Sequence, residues 1–252
     1  MYKRLTALLI CLLLLGGCGS AAPDTPPAPV LHPYDSISFA LADDRMTYSG
    51  AYETGIDVSA HQGEIDWEKV AADGIDFAMI RLGYRGRETG LLNLDKYFVK
   101  NIKGATANGI KVGVYFYSQA VTRAEAEEEA AFVLKHAGRY DITYPVVYDL
   151  EKDAAPDARA NGLTADQRTE FALAFCNAVK LGGCTPAVYG SASFLQSGFD
   201  LLLIQQYDTW LAHYTDSLSF EYDFTIWQYS KKGRVNGIGT RVDMNICPTP
   251  YY

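Results

Sequence analysis

The sequence lacks the cysteine and histidine clusters that build structural metal sites. It contains 5 Cys and 4 His in 252 residues. No Cys-x-x-Cys pair and no Cys/His cluster with zinc spacing occurs, which argues against a structural zinc. No Gly-x-Gly-x-x-Gly follows the first strand-like segment and no phosphate loop is present, so nothing indicates a nucleotide site. We therefore expect neither a metal nor a cofactor.

The chain also lacks an excess of positive charge. Its 22 basic residues face 30 acidic ones, which gives a formal net charge of -8. Affinity for nucleic acid depends largely on Lys and Arg contacts to phosphates, so an acidic chain argues against a nucleic-acid partner. We expect a monomer.

No apolar run is long enough for a comfortable membrane span, which needs about 20 residues. The longest run, Leu5 to Leu15, follows Lys3 and Arg4 and precedes small residues, a pattern typical of an export signal. Leu15-Gly16-Gly17-Cys18 resembles the lipobox of bacterial lipoproteins. That resemblance implies cleavage after a signal peptide of residues 1–17 and lipidation of Cys18, with an ordinary secretory signal as the alternative. We expect an exported protein, lipid-anchored on the outer face of the cytoplasmic membrane or in the cell envelope.

Residues 18–50 are interpreted as the lipidated Cys and a flexible tether. The stretch from Ala21 to Pro29 is rich in Pro and Ala and has no apolar period, so it favours extended, solvated chain. Residues 51–252 are then one domain of about 200 residues, enough for a single large core. Export permits disulfides, and a bridge between Cys176 and Cys184 would leave Cys247 unpaired; the sequence leaves this open.

Strands and helices alternate through residues 51–252. Helix starts are indicated by two capping boxes, Thr122 with Glu125 and Thr164 with Gln167. Five strand–helix units are followed by about three strands without full helices. The predicted strands lie around residues 55–59, 77–82, 110–117, 144–150, 186–190, 209–213, 224–229 and 242–243. This order predicts an α/β fold with a mainly parallel sheet, which eight strands could close into a barrel; an open doubly wound sheet is the alternative.

The segment Tyr144 to Glu151 is the most informative, because an apolar strand ends in two carboxylates. Asp149 and Glu151 are spaced i, i+2, so they point to the same side of the strand, with Cα atoms roughly 6.6 Å apart. Two neighbouring acids repel as anions, and one of them is relieved by keeping its proton. A protonated acid beside an ionised one is suited to cleaving a glycosidic bond.

Two further acids, Asp57 and Asp243, lie on the first and last predicted strands. The active sites of α/β barrels are built at the carboxyl ends of the strands. We therefore expect Asp57, Asp149, Glu151 and Asp243 to converge on one pocket. A single Asp at a strand end is usually a local cap, whereas four acids on one rim indicate catalysis.

Seven motifs in order resemble glycoside hydrolase family 25, the Chalaropsis-type lysozymes or muramidases. The first runs from Gly55 to Trp67, and the pair Asp149-Leu150-Glu151 is the fourth. The others are Phe77 to Tyr84, Val112 to Ser118, Trp210 to Tyr214, Trp227-Gln228-Tyr229 and Val242 to Asn245.

The resemblance implies an irregular TIM-like barrel of five βα units and three strands. It also implies hydrolysis of the β-1,4 bond between N-acetylmuramic acid and N-acetylglucosamine in peptidoglycan glycan strands. Glu151 would be the general acid, and Asp57, Asp149 and Asp243 would be supporting carboxylates. The sequence leaves the attacking group open between the substrate's acetamido group, a carboxylate and water, and so leaves open retention or inversion.

Aromatic and amide side chains near strand ends are candidate substrate contacts: Tyr117, Trp210, Tyr214, Trp227 and Gln228. Each aromatic could equally be part of the core. Two other functions remain as alternatives: a non-catalytic cell-wall glycan-binding domain on the same fold, and a metal-dependent hydrolase that uses the carboxylate cluster.

Overall fold

The structure is a computed structural model and describes residues 28–251. Its strands are β1 (Phe39–Ala42), β2 (Arg45–Tyr48), β3 (Glu53–Val58), β4 (Phe77–Arg85), β5 (Leu92–Leu94), β6 (Lys111–Tyr117), β7 (Val146–Asp149), β8 (Pro186–Ser191), β9 (Asp208–Ala212), β10 (Ile226–Gly233) and β11 (Val242–Cys247). Its α-helices are α1 (Trp67–Ala72), α2 (Phe98–Ala107), α3 (Arg123–Ala137), α4 (Ala165–Leu181), α5 (Ala192–Gly198) and α6 (Leu201–Ile204).

Eight strands close into a barrel in the order β3, β4, β6, β7, β8, β9, β10, β11, and pairing between β3 and β4 completes the circle. Neighbours from β3 to β10 run parallel, while β11 is antiparallel to both β10 and β3. Helices follow β3, β4, β6, β7 and β8, and none follows the last three strands. The predicted barrel of five βα units and three strands is confirmed, and the open doubly wound sheet is wrong.

The helices begin where the sequence places their caps. The Thr164 side chain accepts a hydrogen bond from the backbone N–H of Gln167, whose side chain accepts one from the N–H of Thr164, so this capping box is complete. Thr122 also caps its helix, but the Glu125 carboxylate accepts from the N–H of Val121 instead of the cap residue. Both helices pack on the outside of the barrel through buried faces.

Two short strands, β1 and β2, form an antiparallel hairpin ahead of the barrel. Phe39 and Met46 are buried in the main core, and Arg45 pairs with Asp73 at 2.6 Å. The flexible tether predicted for residues 18–50 is therefore wrong at its carboxyl end. The apolar–polar alternation of so short a hairpin is too brief to predict strands from the sequence. The hairpin is stabilised only by its packing on the barrel.

This N-terminal hairpin covers the outer side of the barrel where helices are missing. Phe39 packs edge-on against Trp227 of β10 with ring centroids 5.3 Å apart, and Trp227 has 0% exposure. An apolar strand face must be covered by another element, and after β9 no helix is available for this. The hairpin takes that place.

Cys176, Cys184 and Cys247 are all free thiols. The disulfide between Cys176 and Cys184, which the sequence left undecided, is absent. The Cys176 thiol instead contacts the carbonyl of Ala187 at 3.8 Å. Between residues 28 and 251 no helix is long and apolar enough to cross a membrane. The predicted signal peptide of residues 1–17 and the lipidation site Cys18 lie outside the described residues.

Candidate active site

Four carboxylates line one cavity of about 160 Å³ at an end of the barrel. Asp57 lies near the end of β3, Asp149 ends β7, and Glu151 lies two residues beyond it. The sequence predicted that the acids lie at the carboxyl ends of their strands. Asp243 instead reaches this rim at the amino end of β11, because β11 is antiparallel to its neighbours. The other lining residues are Arg81, Tyr115, Tyr117, Tyr189, Trp210 and Gln228. The predicted convergence of the four acids is observed in this cavity.

Asp57 and Asp243 lie directly opposite each other in the β3–β11 register. Asp57 is 8% exposed, and its Oδ2 accepts hydrogen bonds from Gln228 Nε2 at 2.8 Å and Asn245 Nδ2 at 2.9 Å. Burial, and next the charge of Asp243, raise the pKa of Asp57 to about 8. Burial raises the pKa of Asp243 to about 6, while the nearby Lys231 acts to lower it. The site therefore holds protons at pH values where exposed acids are fully ionised.

Asp149 and Glu151 are neighbouring carboxyls in the same cavity, so the charge of one acts on the other. Burial is the main cause that raises the pKa of both, and the charge of Glu151 raises the pKa of Asp149 further. Asp149 is 5% exposed, whereas Glu151 is more accessible. Burial thus favours the protonated form of both acids, of which Asp149 is the deeper.

Gln228 connects three groups of the site. Its Oε1 accepts hydrogen bonds from the hydroxyls of Tyr189 at 3.0 Å and Tyr214 at 2.8 Å. These two donors fix the orientation of the amide, so that its Nε2 donates to Asp57. Gln228 is only 2% exposed, so it lines the floor of the cavity and positions Asp57.

The predicted aromatic contacts divide into three groups. Tyr117 and Trp210 line the cavity, and Tyr214 lies beside it, 47% exposed. The Trp210 indole Nε1 donates to Asn245 Oδ1 at 2.8 Å, which holds the ring at the cavity wall. Trp227 is wrong as a substrate contact, because its side chain points outward under the N-terminal hairpin and its Nε1 donates to the His213 carbonyl.

Sequence reasoning missed Asn245, Tyr189 and Tyr115 as parts of the site. Asn245 lies two residues after Asp243, so strand alternation already places both on one face. No comparable signal marks Tyr189, whose role follows from the neighbouring strands. Arg81 lines the cavity and pairs with Asp95 at 2.8 Å, as expected for a structural salt bridge.

The cavity continues into a wider cleft. Arg81 and Tyr117 also line a depression of about 440 Å³ that extends past Tyr84 and Arg87. Tyr117 donates a hydrogen bond to Asp153 at 2.9 Å at the junction. A polymer lying across the rim would thus pass from the carboxylates into this depression. Across residues 28–251, no group of three His, Cys, Asp or Glu residues is arranged to hold a metal ion.

A family model described as "Glycosyl hydrolases family 25" matches residues 56–238. The chain belongs to this family. Lysozyme M1 of Streptomyces globisporus is 30% identical over 200 residues, covering 76% of this chain and 66% of that protein. The family 25 barrel is also similar to the bacterial lysozyme of Streptomyces coelicolor, with a TM-score of 0.64, 27% identity, and coverage of 77% of this chain and 90% of that chain.

The chain is also similar in structure to the modular autolysin LytC of Streptococcus pneumoniae, solved in complex with a synthetic peptidoglycan ligand. It superposes with a TM-score of 0.69 at 26% identity and covers 83% of this chain. The chain spans about half the length of that autolysin, 52%. The family and the barrel are thus established for this chain.

Proposed function

We propose that this chain is an N-acetylmuramidase that cleaves the β-1,4 bond between N-acetylmuramic acid and N-acetylglucosamine in peptidoglycan. The observation that carries the proposal is the convergence of four carboxylates, Asp57, Asp149, Glu151 and Asp243, on one cavity. Relatives named lysozyme and an autolysin solved with a peptidoglycan ligand support the substrate class.

Glu151 is the proton donor in this proposal. It is the more accessible member of the pair, whereas Asp149 lies deeper and is sheltered from a bound glycan. A glycan that covers Glu151 removes water from it and raises its pKa further, so that Glu151 holds a proton when the substrate is bound. Glu151 then protonates the leaving glycosidic oxygen as the bond to the anomeric carbon breaks.

The other three carboxylates supply negative charge and orientation. Asp149, once ionised, lies close enough to stabilise the cationic anomeric centre. Asp57 is held by Gln228 and Asn245 and, with Asp243, orients the acetamido group or a water. Water finally adds to the anomeric carbon, and its proton passes to Glu151, which restores the protonated acid.

The proposal also places the protein outside the cytoplasm. The export signal of residues 1–17 and the lipobox-like Cys18 support anchoring in the cell envelope, where the glycan strands are. A lipid tether would remove the need for electrostatic capture by a chain of net charge -8.

The test is digestion of purified peptidoglycan followed by mass spectrometry of the released ends. New reducing muramic acid ends would support the muramidase. New reducing glucosamine ends would overturn the bond assignment, and binding without release would support the glycan-binding alternative. Activity that is lost in chelator and restored by added metal would favour the metal-dependent hydrolase.

A further inference from the structure

A second cleft, which we call the hairpin cleft, opens beside the catalytic cavity. It encloses about 490 Å³ between the β1–β2 hairpin and the end of β10, and its walls include Asp44, Tyr214, Asp216, Lys231, Lys232 and Arg241. One hydrogen bond joins it to the active site, from the Tyr214 hydroxyl to Gln228 Oε1 at 2.8 Å. Lys231 of the cleft also lies near enough for its charge to act on Asp243. A substrate bound across the carboxylates therefore has this cleft within reach.

The hairpin that forms one wall precedes the region matched by the family model, residues 56–238. Its two-residue turn has Asp43 and Asp44 in the left-handed region, with φ values of 50° and 61°. Aspartate tolerates this conformation less well than glycine, and such conformations persist where the surrounding structure or a function holds them. Buried Phe39 and Met46 fix the hairpin against the barrel and so fix the position of Asp44.

The hairpin cleft carries full charges of both signs. Lys231, Lys232 and Arg241 lie on one side, and Asp44 and Asp216 add negative charge. In the part of the chain that the structure describes, none of these five groups has an ion-pair partner within 4.0 Å. All five are solvent-exposed. Arg241 donates to the carbonyl of Lys232 at 2.7 Å and Lys231 lies over the Tyr214 ring, so Asp44, Asp216 and Lys232 are the groups free to turn toward a ligand.

We propose that the hairpin cleft binds the peptide stem of a peptidoglycan strand whose glycan lies across the catalytic cavity. This inference rests on the proposed muramidase function. The glycan backbone carries no free charge at the stem-bearing sugar, because its lactyl carboxyl is bonded to the peptide. The stem, in contrast, presents carboxylates and, in common wall types, a free amine. Lysine and arginine suit the carboxylates, and Asp44 suits the amine.

The aromatic surface of the cleft favours a peptide over a further sugar. Sugar rings bind best on open aromatic faces. Here the Lys231 ammonium lies 5.3 Å from the centroid of the Tyr214 ring, and Tyr229 is 3% exposed. The cleft thus offers charge rather than a free stacking face.

The experiment compares two soluble substrates: uncrosslinked glycan strands with peptide stems, and the same strands after an amidase has removed the stems. We expect kcat/KM of the wild-type protein to be about fivefold or more higher on stem-bearing strands, as a few solvent-exposed charge contacts provide. The double variant Asp44→Gly/Lys232→Ala should bring this ratio toward one. Glycine suits the left-handed turn, so the hairpin should be retained. Lys180→Ala, at the exposed end of α4, is the matched control and should leave the ratio unchanged.

A second measurement uses the wild-type protein alone. Salt screens charge contacts, so raising the ionic strength should lower the preference for stem-bearing strands. A wild-type ratio of one or below at low salt would overturn the inference, and a ratio below one would indicate a sugar in the hairpin cleft. These outcomes leave the muramidase proposal intact, whereas failure to cleave either substrate would overturn both.

Discussion

Asp243 on β11 lies directly across from Asp57 on β3, and the two share the floor of the catalytic cavity. This pairing exists because the last strand of the barrel runs antiparallel to its neighbours. It places two carboxylates side by side in a buried position, with Gln228 and Asn245 as hydrogen-bond donors to Asp57. The raised pKa values of both acids follow from that arrangement.

Glu151→Gln should abolish release of wall fragments while leaving binding of peptidoglycan nearly intact. Glutamine keeps the size of the side chain but cannot protonate the leaving oxygen. A general acid contributes roughly 10²- to 10⁴-fold, and kcat should fall by about that factor. Single-turnover digestion and a pull-down with insoluble wall measure the two properties. Near-normal turnover in this variant would rule out Glu151 as the donor.

Asp57→Asn should stabilise the protein at alkaline pH while reducing its activity. The pKa of Asp57 is raised to about 8, so the native state holds a proton that the unfolded chain releases. The stability that this bound proton provides is fully present below about pH 4, the pKa of an aspartate in the unfolded chain. It is lost as the pH rises through about 8. Above pH 8 the variant should gain on the order of 2 kcal/mol in free energy of unfolding. Urea unfolding at pH 5, 7 and 8.5 measures this.

The companion variant Asp243→Asn provides an internal comparison. The pKa of Asp243 is raised only to about 6, so the stabilising effect of Asp243→Asn should develop at lower pH than that of Asp57→Asn and should be smaller. Equal pH dependence in the two variants would contradict the different environments of these acids.

Gln228→Leu should lower kcat by roughly 10- to 100-fold, the value of a hydrogen bond to a charged group. The loss of Nε2 removes one of the two hydrogen-bond donors to Asp57, so the pKa of Asp57 should rise. The alkaline limb of the pH–rate profile should then move to higher pH. Tyr214→Phe retains the Nε2 donor and should show no such movement of the profile. An unchanged profile in Gln228→Leu would show that Gln228 acts only through packing.

Trp227→Ala should destabilise the protein rather than weaken substrate binding. Trp227 is fully buried beneath the hairpin, and removal of a buried aromatic costs about 3–5 kcal/mol. Below the melting temperature, KM of the folded fraction should stay near the wild-type value. Leu181→Ala, at a position 90% exposed, is the control for stability. A large increase in KM without loss of stability would place Trp227 back in the substrate site.

The sequence by itself determined the strand–helix alternation, the two capped helices and the positions of the four acids. These features depend on local periodicity and on the chemistry of single residues, both of which are visible along the chain. The i, i+2 spacing of Asp149 and Glu151 likewise placed the pair on one side of β7.

Tertiary structure alone decided three other features. The antiparallel direction of β11 brings Asp243 to the rim by its amino end, and strand direction depends on the whole barrel. The burial of Trp227 depends on a hairpin distant in sequence that covers strands without helices. The deep position of Asp149 raises its pKa, because burial and neighbouring charges act on a pKa only after the chain has folded.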